Sequence, residues 1–499
     1  MNKIDCHIHA QTDGNYHEDI CRLITHMQRH GISKALISDL GDNWMAYPDS
    51  ETLITANARV KHEAENSSGR LEYLVYINPQ LPDWRDIFLR FIDGACGVKL
   101  WISLRSETGS LEETKDVLRL AAKYDKAVLI HTFERTVPTL QGEIGIPEII
   151  ELARAVPQCR IVAAHAGGNW RKAIELADEI PENVSLDISG SFPERTMVRR
   201  LADAFSCDRL LYGSDAFGRS FGSQLSKVYE SDLAAEDMEK ILRLNSIRIF
   251  KLTENSPAEE GVSPETWSIP ERNEDNFCFV GKGKYWDHSV TPEMLAENAV
   301  RYSIDTLFAA DLSAFFAEDR MEANRKHLDA CRSFPQIAPL AVADLNDMEE
   351  TLSQLDGLAG FAGVLISPYL HNYRLEYSAH AKFFDLCAKR GVPVWINTSL
   401  GDDRFRDARL ITRTVLPEDI LEFTENAPRN RYVFQGVLPT PELSKQLPEY
   451  CKLECSKLSD HEYAPEEFFS RGAVEHLCFG SEYPFRDHGS VSNVLEGKL

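Results

Sequence analysis

The sequence predicts an α/β protein built as two tandem (β/α)8 TIM barrels that arose by internal duplication. Three observations support this fold class. Short apolar runs alternate with amphipathic patterns in the first half, the pattern stops near Leu252, and landmarks of the first half then recur in the same order. The 499 residues accommodate two barrels of roughly 250 residues each.

Eight strand candidates occupy the first half, separated by amphipathic stretches such as HEDICRLITHMQRHG. The runs are apolar throughout, as expected of parallel strands that are buried on both faces. Eight strand–helix units are the number that closes a barrel. The predicted strands are Lys3–Ala10, Lys34–Leu40, Leu71–Pro79, Gly97–Leu104, Ala127–Glu134, Arg160–Gly168, Val184–Gly190 and Leu210–Gly218.

A segment rich in proline, serine, asparagine and acidic residues follows the eighth strand and is typical of a linker. We therefore predict a first barrel over residues 1–252, a linker over 253–276 and a second barrel over 277–499. The duplication is clearest where LRLAAKYDKAVLIHT, residues 118–132, matches FDLCAKRGVPVWINT, residues 384–398, at six of 15 positions. LLYGSDAF likewise has its counterpart in LCFGSEYPF.

Composition limits the classes of partner that the protein is expected to bind. The chain carries 78 acidic and 54 basic residues, a formal net charge of -24, which disfavours nucleic acid and anionic membranes as partners. No apolar run approaches the roughly 20 residues that cross a bilayer, and the first residues lack a signal-peptide pattern. The 11 cysteines include no CxxC pair, which favours free thiols. We expect a cytoplasmic protein with a small-molecule substrate, in which the duplication could replace a homodimer or build a larger homo-oligomer.

Five ionisable side chains lie at the carboxyl ends of the predicted strands, where barrel active sites form. They are His7 and His9 on strand one, His131 on strand five, His165 on strand six and Asp215 on strand eight. Residues i and i+2 of a strand share one face, so His7 and His9 both point into the barrel mouth. A single histidine there would be an ordinary core residue, but five such groups together are hard to explain as core filling.

Imidazole nitrogen and carboxylate oxygen are ligands of zinc and similar divalent ions. A bound ion would lower the pKa of a water molecule, which could then attack a substrate. Asp215 could bind the ion and accept the proton of that water. His165 could orient the nucleophile or polarise the scissile carbonyl.

These residues identify a resemblance. Residues 1–252 resemble the amidohydrolase superfamily of metal-dependent barrels, and GVKLW, IVAAHAGG, VSLDISG and LLYGSD look like its branch of aminocarboxymuconate-semialdehyde decarboxylase, aromatic-acid decarboxylases and small lactonases. The resemblance implies that His7, His9, His131 and Asp215 hold one ion, zinc before manganese, iron or nickel. His165 would be catalytic or a further ligand. Lys99 on strand four would either bridge two metals after carboxylation, as in two-metal members, or serve a structural or substrate-facing role.

Three arginines follow strand ends at the same rim: Arg105, Arg135 and Arg219. Solvated loop charge is the ordinary interpretation of each. Their position beside the candidate ligands favours binding of a carboxylate through the guanidinium fork. We therefore hypothesise a small carboxylate-bearing substrate or a sugar-acid lactone.

Three functions remain open at this stage. The first is a metal-dependent hydrolase of an amide, ester or lactone. The second is a metal-dependent, non-oxidative decarboxylase of an unsaturated or aromatic acid. The third is a non-catalytic binding or scaffold protein.

The second half has lost the candidate ligands. Ungapped alignments place Phe279 and Gly281 opposite His7 and His9, and they place Asn397, Gly436 and Glu482 opposite His131, His165 and Asp215. We therefore predict a metal-free second barrel. It could be a structural partner of the first barrel, it could supply loops to the first site, or it could be a separate catalyst or binder that uses Glu482.

Overall fold

Two eight-stranded parallel sheets make up the chain, each with its strands in sequential order. The structure, a computed structural model, describes residues 2–10, 14–41, 48–101, 111–137, 143–216, 218–253 and 266–498. The prediction of tandem (β/α)8 barrels is confirmed. The chain divides into two compact units, Met1–Glu265 and Thr266–Lys498. This division falls within the predicted linker, of which residues 254–265 lie outside the described residues.

The first barrel is built from β1 to β8 and the helices that connect them. Parallel neighbours need crossover connections, which the helices provide. Its strands are β1 Lys3–Ala10, β2 Ile32–Asp39, β3 Leu71–Ile77, β4 Gly97–Leu100, β5 Ala127–Ile130, β6 Ile161–Ala163, β7 Val184–Asp187 and β8 Leu210–Leu211. Its helices are α1 Tyr16–Arg29, α2 Ser50–Asn66, α3 Trp84–Phe91, α4 Glu112–Lys123, α5 Ile146–Ala155, α6 Trp170–Glu175, α7 Met197–Phe205, α8 Phe221–Tyr229, α9 Ala235–Glu239 and α10 Asn245–Phe250.

The sequence explains why the connections are helical. In α1, Ile20, Leu23 and Met27 recur on one face and are buried, whereas charged side chains cover the other face. At the start of α2, the Asp49 side chain accepts a hydrogen bond from Thr52 N at 2.8 Å and so caps the helix. None of the described helices combines the length and apolar composition that crossing a membrane requires.

The barrel closes between β1 and the segment that follows β8. Cys6 N donates to Tyr212 O at 3.0 Å, and His9 N donates to Ala216 O at 2.9 Å. Asp215 N donates to His7 O at 2.8 Å. Closure therefore brings the end of strand eight directly beside the two histidines of strand one.

All eight predicted strands of the first barrel exist, and β1 has the predicted bounds. Most of the others end earlier than predicted, so that His131, His165 and Asp215 lie just beyond β5, β6 and β8. At two of these positions the backbone turns away from the strand, because His165 has φ +58° and Asp215 has φ +64°. Such left-handed residues cannot continue a parallel ladder.

The second barrel repeats this plan with β9 to β16. Its strands are β9 Glu274–Val280, β10 Thr306–Asp311, β11 Ile337–Ala343, β12 Gly363–Ile366, β13 Val394–Asn397, β14 Tyr432–Gln435, β15 Cys451–Glu454 and β16 Leu477–Cys478. Its helices are α11 Pro292–Tyr302, α12 Arg320–Cys331, α13 Met348–Gln354, α14 Ala381–Arg390, α15 Pro417–Asn426, α16 Pro441–Ser444, α17 Ala464–Arg471 and α18 Gly489–Leu495. The barrel closes as the first one does, with Asn276 N donating to Phe479 O and Phe279 N donating to Tyr483 O, both at 2.9 Å.

Matching hydrogen bonds fix which residues of the two barrels correspond. In the first barrel, Asp5 Oδ1 accepts from His7 N at 3.0 Å and from Ser214 N at 3.1 Å. In the second, Asp275 Oδ1 accepts from Phe277 N at 2.9 Å and from Ser481 N at 3.1 Å. His7 and His9 therefore correspond to Phe277 and Phe279.

The predicted pairing of His7 and His9 with Phe279 and Gly281 is wrong by two residues. Loops of unequal length separate the strands, so an ungapped alignment loses the register. The other three pairings are confirmed. For example, Thr132 Oγ1 donates to Ala164 O as Thr398 Oγ1 donates to Gln435 O, and Glu482 shares the left-handed backbone of Asp215, with φ +59°.

Candidate metal centre

His7, His9 and Asp215 converge at the mouth of the first barrel. The Nε2 atoms of the two imidazoles lie 3.0 Å apart. Asp215 Oδ1 lies 3.8 Å from His7 Nε2 and 3.5 Å from His9 Nε2. Each of the three residues thus offers one ligand atom to a common point. Both imidazoles are buried, whereas the Asp215 side chain stays 18% exposed.

The Nδ1 atoms of the candidate histidine ligands all have partners on the far side of the ring. His9 Nδ1 lies 2.8 Å from Ser38 Oγ, and His7 Nδ1 lies 2.9 Å from Asp187 Oδ2. His131 Nδ1 lies 3.2 Å from His165 Nε2. Such partners hold the proton on Nδ1 and leave the Nε2 lone pair for a metal ion.

Burial sets the charge of the imidazoles. It lowers the pKa of His7, His9 and His165 well below the ordinary value, and nearby positive groups lower it further. Burial also lowers the pKa of His131. The imidazoles are therefore neutral at pH 7, which is the form that binds metal.

These atoms fit a divalent ion. Two nitrogens bound to one tetrahedral ion at about 2.0–2.1 Å lie about 3.3 Å apart, close to the observed separation of the His7 and His9 Nε2 atoms, 3.0 Å. Among the described residues, His131 Nε2 is buried without a hydrogen-bond partner, and Glu143 Oε1 lies 3.7 Å away, so this nitrogen is open to an ion. Imidazole nitrogen with one carboxylate is a donor set of zinc and related metals.

A second group of His7, His165 and Asp187 also offers three close ligand atoms. Here Ser189 Oγ lies 3.1 Å from His7 Nδ1 and 2.9 Å from His165 Nδ1. The Nδ1 atoms of His7 and His165 are therefore already hydrogen-bonded to the Ser189 hydroxyl. The group that contains Asp215 is therefore the better candidate centre.

Lys99 belongs to the same cluster. It is fully buried, and its Nζ lies 2.7 Å from His7 Nε2. Burial lowers the pKa of Lys99 to about 8, so a substantial fraction of this amine is neutral near that pH. The structure thus places Lys99 against a predicted ligand, where either role left open by the sequence would bring it into the centre.

The predicted arginines differ in their surroundings. Arg135 Nε donates to Glu143 Oε2 at 3.1 Å, and Glu143 Oε1 lies 3.7 Å from His131 Nε2. Arg219 Nε donates to Gly190 O at 2.9 Å, and its guanidinium lies over the Phe192 ring. Arg105 lies outside the described residues.

The structure thus brings His7, His9 and Asp215 together, and His165 contacts both this group, through Ser189 and His7, and His131. Among the described residues, the group of close ligand atoms does not include His131, whose Nε2 lies 3.7 Å from Glu143 Oε1. The structure adds three residues that the sequence analysis missed: Ser38, Asp187 and Ser189. Asp187 carried a usable signal, because it is a carboxylate at the end of β7, a strand with no predicted site residue. The two serines carried none, since a serine at a strand end is common.

A model of the amidohydrolase family matches residues 4–252 and 285–492. The chain belongs to the amidohydrolase family. The resemblance that the histidine pattern indicated is therefore confirmed, and it extends to the second barrel, which lacks those histidines. Amidohydrolases are enzymes, and the cluster of the first barrel lies where barrel active sites form.

Among solved structures, this amidohydrolase is similar to 2,6-dihydroxybenzoate decarboxylase from Rhizobium, with 16% identity over 50% of this chain and 98% of that one, TM-score 0.41. A dihydroxybenzoic acid decarboxylase from Polaromonas with bound manganese has 16% identity over 51% and 98%, TM-score 0.43. 4-Oxalomesaconate hydratase from Rhodopseudomonas palustris has 14% identity over 50% and 95%, TM-score 0.40. Similarities at this level do not decide the reaction. The search of curated proteins found no match.

Proposed function

We propose that the first barrel is a metal-dependent hydrolase of an amide, ester or lactone bond in a small, carboxylate-bearing substrate. The observation that carries this proposal is the convergence of His7 Nε2, His9 Nε2 and Asp215 Oδ1. These residues and His131 would hold one divalent ion, with zinc as the first candidate and manganese, iron or nickel as alternatives. When bound, the ion supplies Lewis acidity and an activated water molecule.

Asp215 is the group that accepts the proton of the attacking water. Its side chain is 18% exposed, whereas His7 and His9 are buried, so water reaches the carboxylate from the barrel mouth. His165 is the second candidate catalytic group, which would orient the nucleophile or polarise the scissile carbonyl. Its Nε2 lies 3.2 Å from His131 Nδ1 within the same cluster.

Arg219 is the best placed of the three arginines to bind a substrate carboxylate. It follows Asp215 by four residues, and its backbone N donates to Asp215 O at 3.2 Å. Arg135 is already paired with Glu143, so a substrate carboxylate would compete with an internal one. Arg105 remains a candidate from the sequence alone.

Aromatic rings near the centre favour a second candidate, the decarboxylation of a planar unsaturated or aromatic acid. The Trp101 ring lies 5.0 Å from the His131 ring, and the Phe133 ring lies 5.5 Å from the His165 ring. Flat apolar faces of this kind pack well against a conjugated substrate.

One substrate panel tests both candidates. Zinc- and manganese-loaded enzyme is offered lactones, esters, amides and aromatic acids, while acid release and carbon dioxide are measured together. We expect the wild-type enzyme to release acid without carbon dioxide, and we expect the Asp215→Asn variant to lose this acid release. Release of carbon dioxide from the aromatic acids would instead identify the enzyme as a decarboxylase and contradict the proposed hydrolysis. A metal-loaded protein inactive toward every class would contradict both and favour the binding or scaffold alternative.

A further inference from the structure

Ser189 occupies a central place in the first barrel's cluster. It follows β7 by two residues and is fully buried. Its Oγ lies 3.1 Å from His7 Nδ1 and 2.9 Å from His165 Nδ1. Its backbone N donates to Asp187 Oδ1 at 2.7 Å, which fixes the main chain at this position. One hydroxyl therefore joins two imidazoles that come from different strands.

The placement of protons explains why a hydroxyl suits this position. If His7 binds the ion through Nε2, its proton is on Nδ1 and is shared between Asp187 Oδ2 and Ser189 Oγ. If His131 binds through Nε2, its Nδ1 donates to His165 Nε2. The proton of His165 is then on Nδ1 and points at Ser189 Oγ. A serine oxygen has two acceptor lone pairs, one for each of these donors.

We infer that Ser189 is a positioning residue of the metal centre, which aligns His7 directly and His131 through His165. This inference rests on the proposed metal site and deepens it. Groups that hold a ligand imidazole from its far side typically change metal affinity by about 10–100-fold. Ser189 would hold two of the predicted histidine ligands in this way, one through a direct hydrogen bond and one through a bridging imidazole.

The counterpart of Ser189 in the second barrel, Ser456, shows how the hydroxyl is oriented where the imidazoles are absent. Ser456 N donates to Glu454 Oε2 at 2.8 Å, as Ser189 N donates to Asp187, so the backbone arrangement is retained. The Ser456 hydroxyl instead donates to Glu454 Oε1 at 2.9 Å. With the imidazoles replaced by Phe277 and Gly436, the hydroxyl turns to the carboxylate. In the first barrel its direction is thus set by His7 and His165.

The neighbouring glycine leaves little room for a substitute acceptor. Gly190 has φ +78°, and a Cβ built on it would lie 2.2 Å from His165 Nδ1. The imidazole therefore rests directly on the backbone of residue 190. Removal of the Ser189 hydroxyl would leave the Nδ1 atom of His165 buried without its acceptor, which costs free energy and frees the ring to rotate.

Ser189→Ala, Ser189→Thr and the matched control Ser456→Ala test the inference in the full chain. Zinc affinity is measured by competition with a chromophoric chelator, and the cobalt-loaded proteins are compared by their visible absorption, which reports ligand geometry. Circular dichroism establishes that each variant is folded. We expect Ser189→Ala to weaken zinc binding about 10–100-fold and to change the cobalt spectrum. Ser189→Thr, which keeps the hydroxyl, should restore both, and Ser456→Ala should change neither.

Wild-type affinity and spectrum in Ser189→Ala would overturn the inference and leave the metal site standing. A Ser189→Thr variant that is folded but no better than Ser189→Ala would also overturn it, because the hydroxyl would then not be the active feature. A wild-type protein that binds neither zinc nor cobalt would instead overturn the proposed function, so the two failures are separate results.

Discussion

The two barrels have the same backbone arrangement but differ in the side chains that fill the barrel interior. Where the first barrel has His7, His9 and Lys99, the second has Phe277, Phe279 and Leu365. The latter three belong to one apolar cluster with Trp395 and other core residues. Apolar side chains therefore fit these three positions of the fold, so packing alone does not require the buried polar side chains of the first barrel.

The carboxylate at the end of the eighth strand persists, but its counter-charge changes. Glu482 corresponds to Asp215, and the fully buried Arg486 pairs with both Glu482 and Asp460. Lys457 Nζ lies 3.4 Å from Glu482 Oε2, and Gly401 N donates to Glu482 Oε1 at 2.7 Å. A guanidinium in the second barrel thus neutralises the carboxylate that, in our proposal, a metal ion neutralises in the first.

The largest expected effect comes from removing that guanidinium. Arg486→Met removes the guanidinium that pairs with the buried Glu482 and Asp460, and breaking one partner of a buried ion pair typically costs about 3–5 kcal/mol. Urea unfolding measures the loss of stability, and the metal content should stay unchanged. The matched first-barrel variant is Arg219→Met, which removes a guanidinium that hydrogen-bonds to Gly190 O and lies over the Phe192 ring. It breaks no buried ion pair of the kind that Arg486 makes and should cost about 1–2 kcal/mol. Equal losses in the two variants would contradict the comparison.

A pH-dependent effect follows from Glu454, the counterpart of Asp187. This carboxylate accepts hydrogen bonds from Gly436 N and Ser456 N, and burial raises the pKa of Glu454 from 4.5 to about 7. A raised folded-state pKa means that the folded protein binds the proton more tightly than the unfolded chain. Its contribution to stability is therefore present below about pH 4.5 and is lost as the pH rises to about 7.

Glu454→Gln should abolish this slope. The difference in unfolding free energy between wild type and variant should change by about 3 kcal/mol between pH 4.5 and 7.5, at about 1.4 kcal/mol per unit of pKa shift. A difference that is constant across this pH range would mean that Glu454 is ionised throughout.

A smaller effect is expected at two positions where a large side chain in one barrel corresponds to a glycine in the other. His165 and Gly190 of the first barrel correspond to Gly436 and Lys457 of the second. Gly190→Ala places a Cβ against His165 and adds strain at positive φ, for a cost of about 1–3 kcal/mol. Adding His165→Gly should recover part of it, as thermal unfolding of the single and double variants would show. Strictly additive losses would contradict the close packing of these two positions.

The strands of the first barrel and most residues of the candidate metal centre could be predicted from the sequence. Apolar runs of parallel strands marked all eight strands of the first barrel, and ionisable residues at their ends marked the histidines and Asp215. The register of Phe277 and Phe279 could not be predicted, because loop lengths differ between the halves. The roles of Ser38 and Ser189 depend on contacts between strands that are distant in the chain, which no local pattern records.

The most direct test of the account is the metal content per chain, measured by elemental analysis on wild type, on His7→Ala/His9→Ala and on Glu482→Gln. We predict about one equivalent in the wild type and in Glu482→Gln, and almost none in the double variant. A double variant that retains its full equivalent would contradict the central claim that the first barrel holds the ion and the second does not.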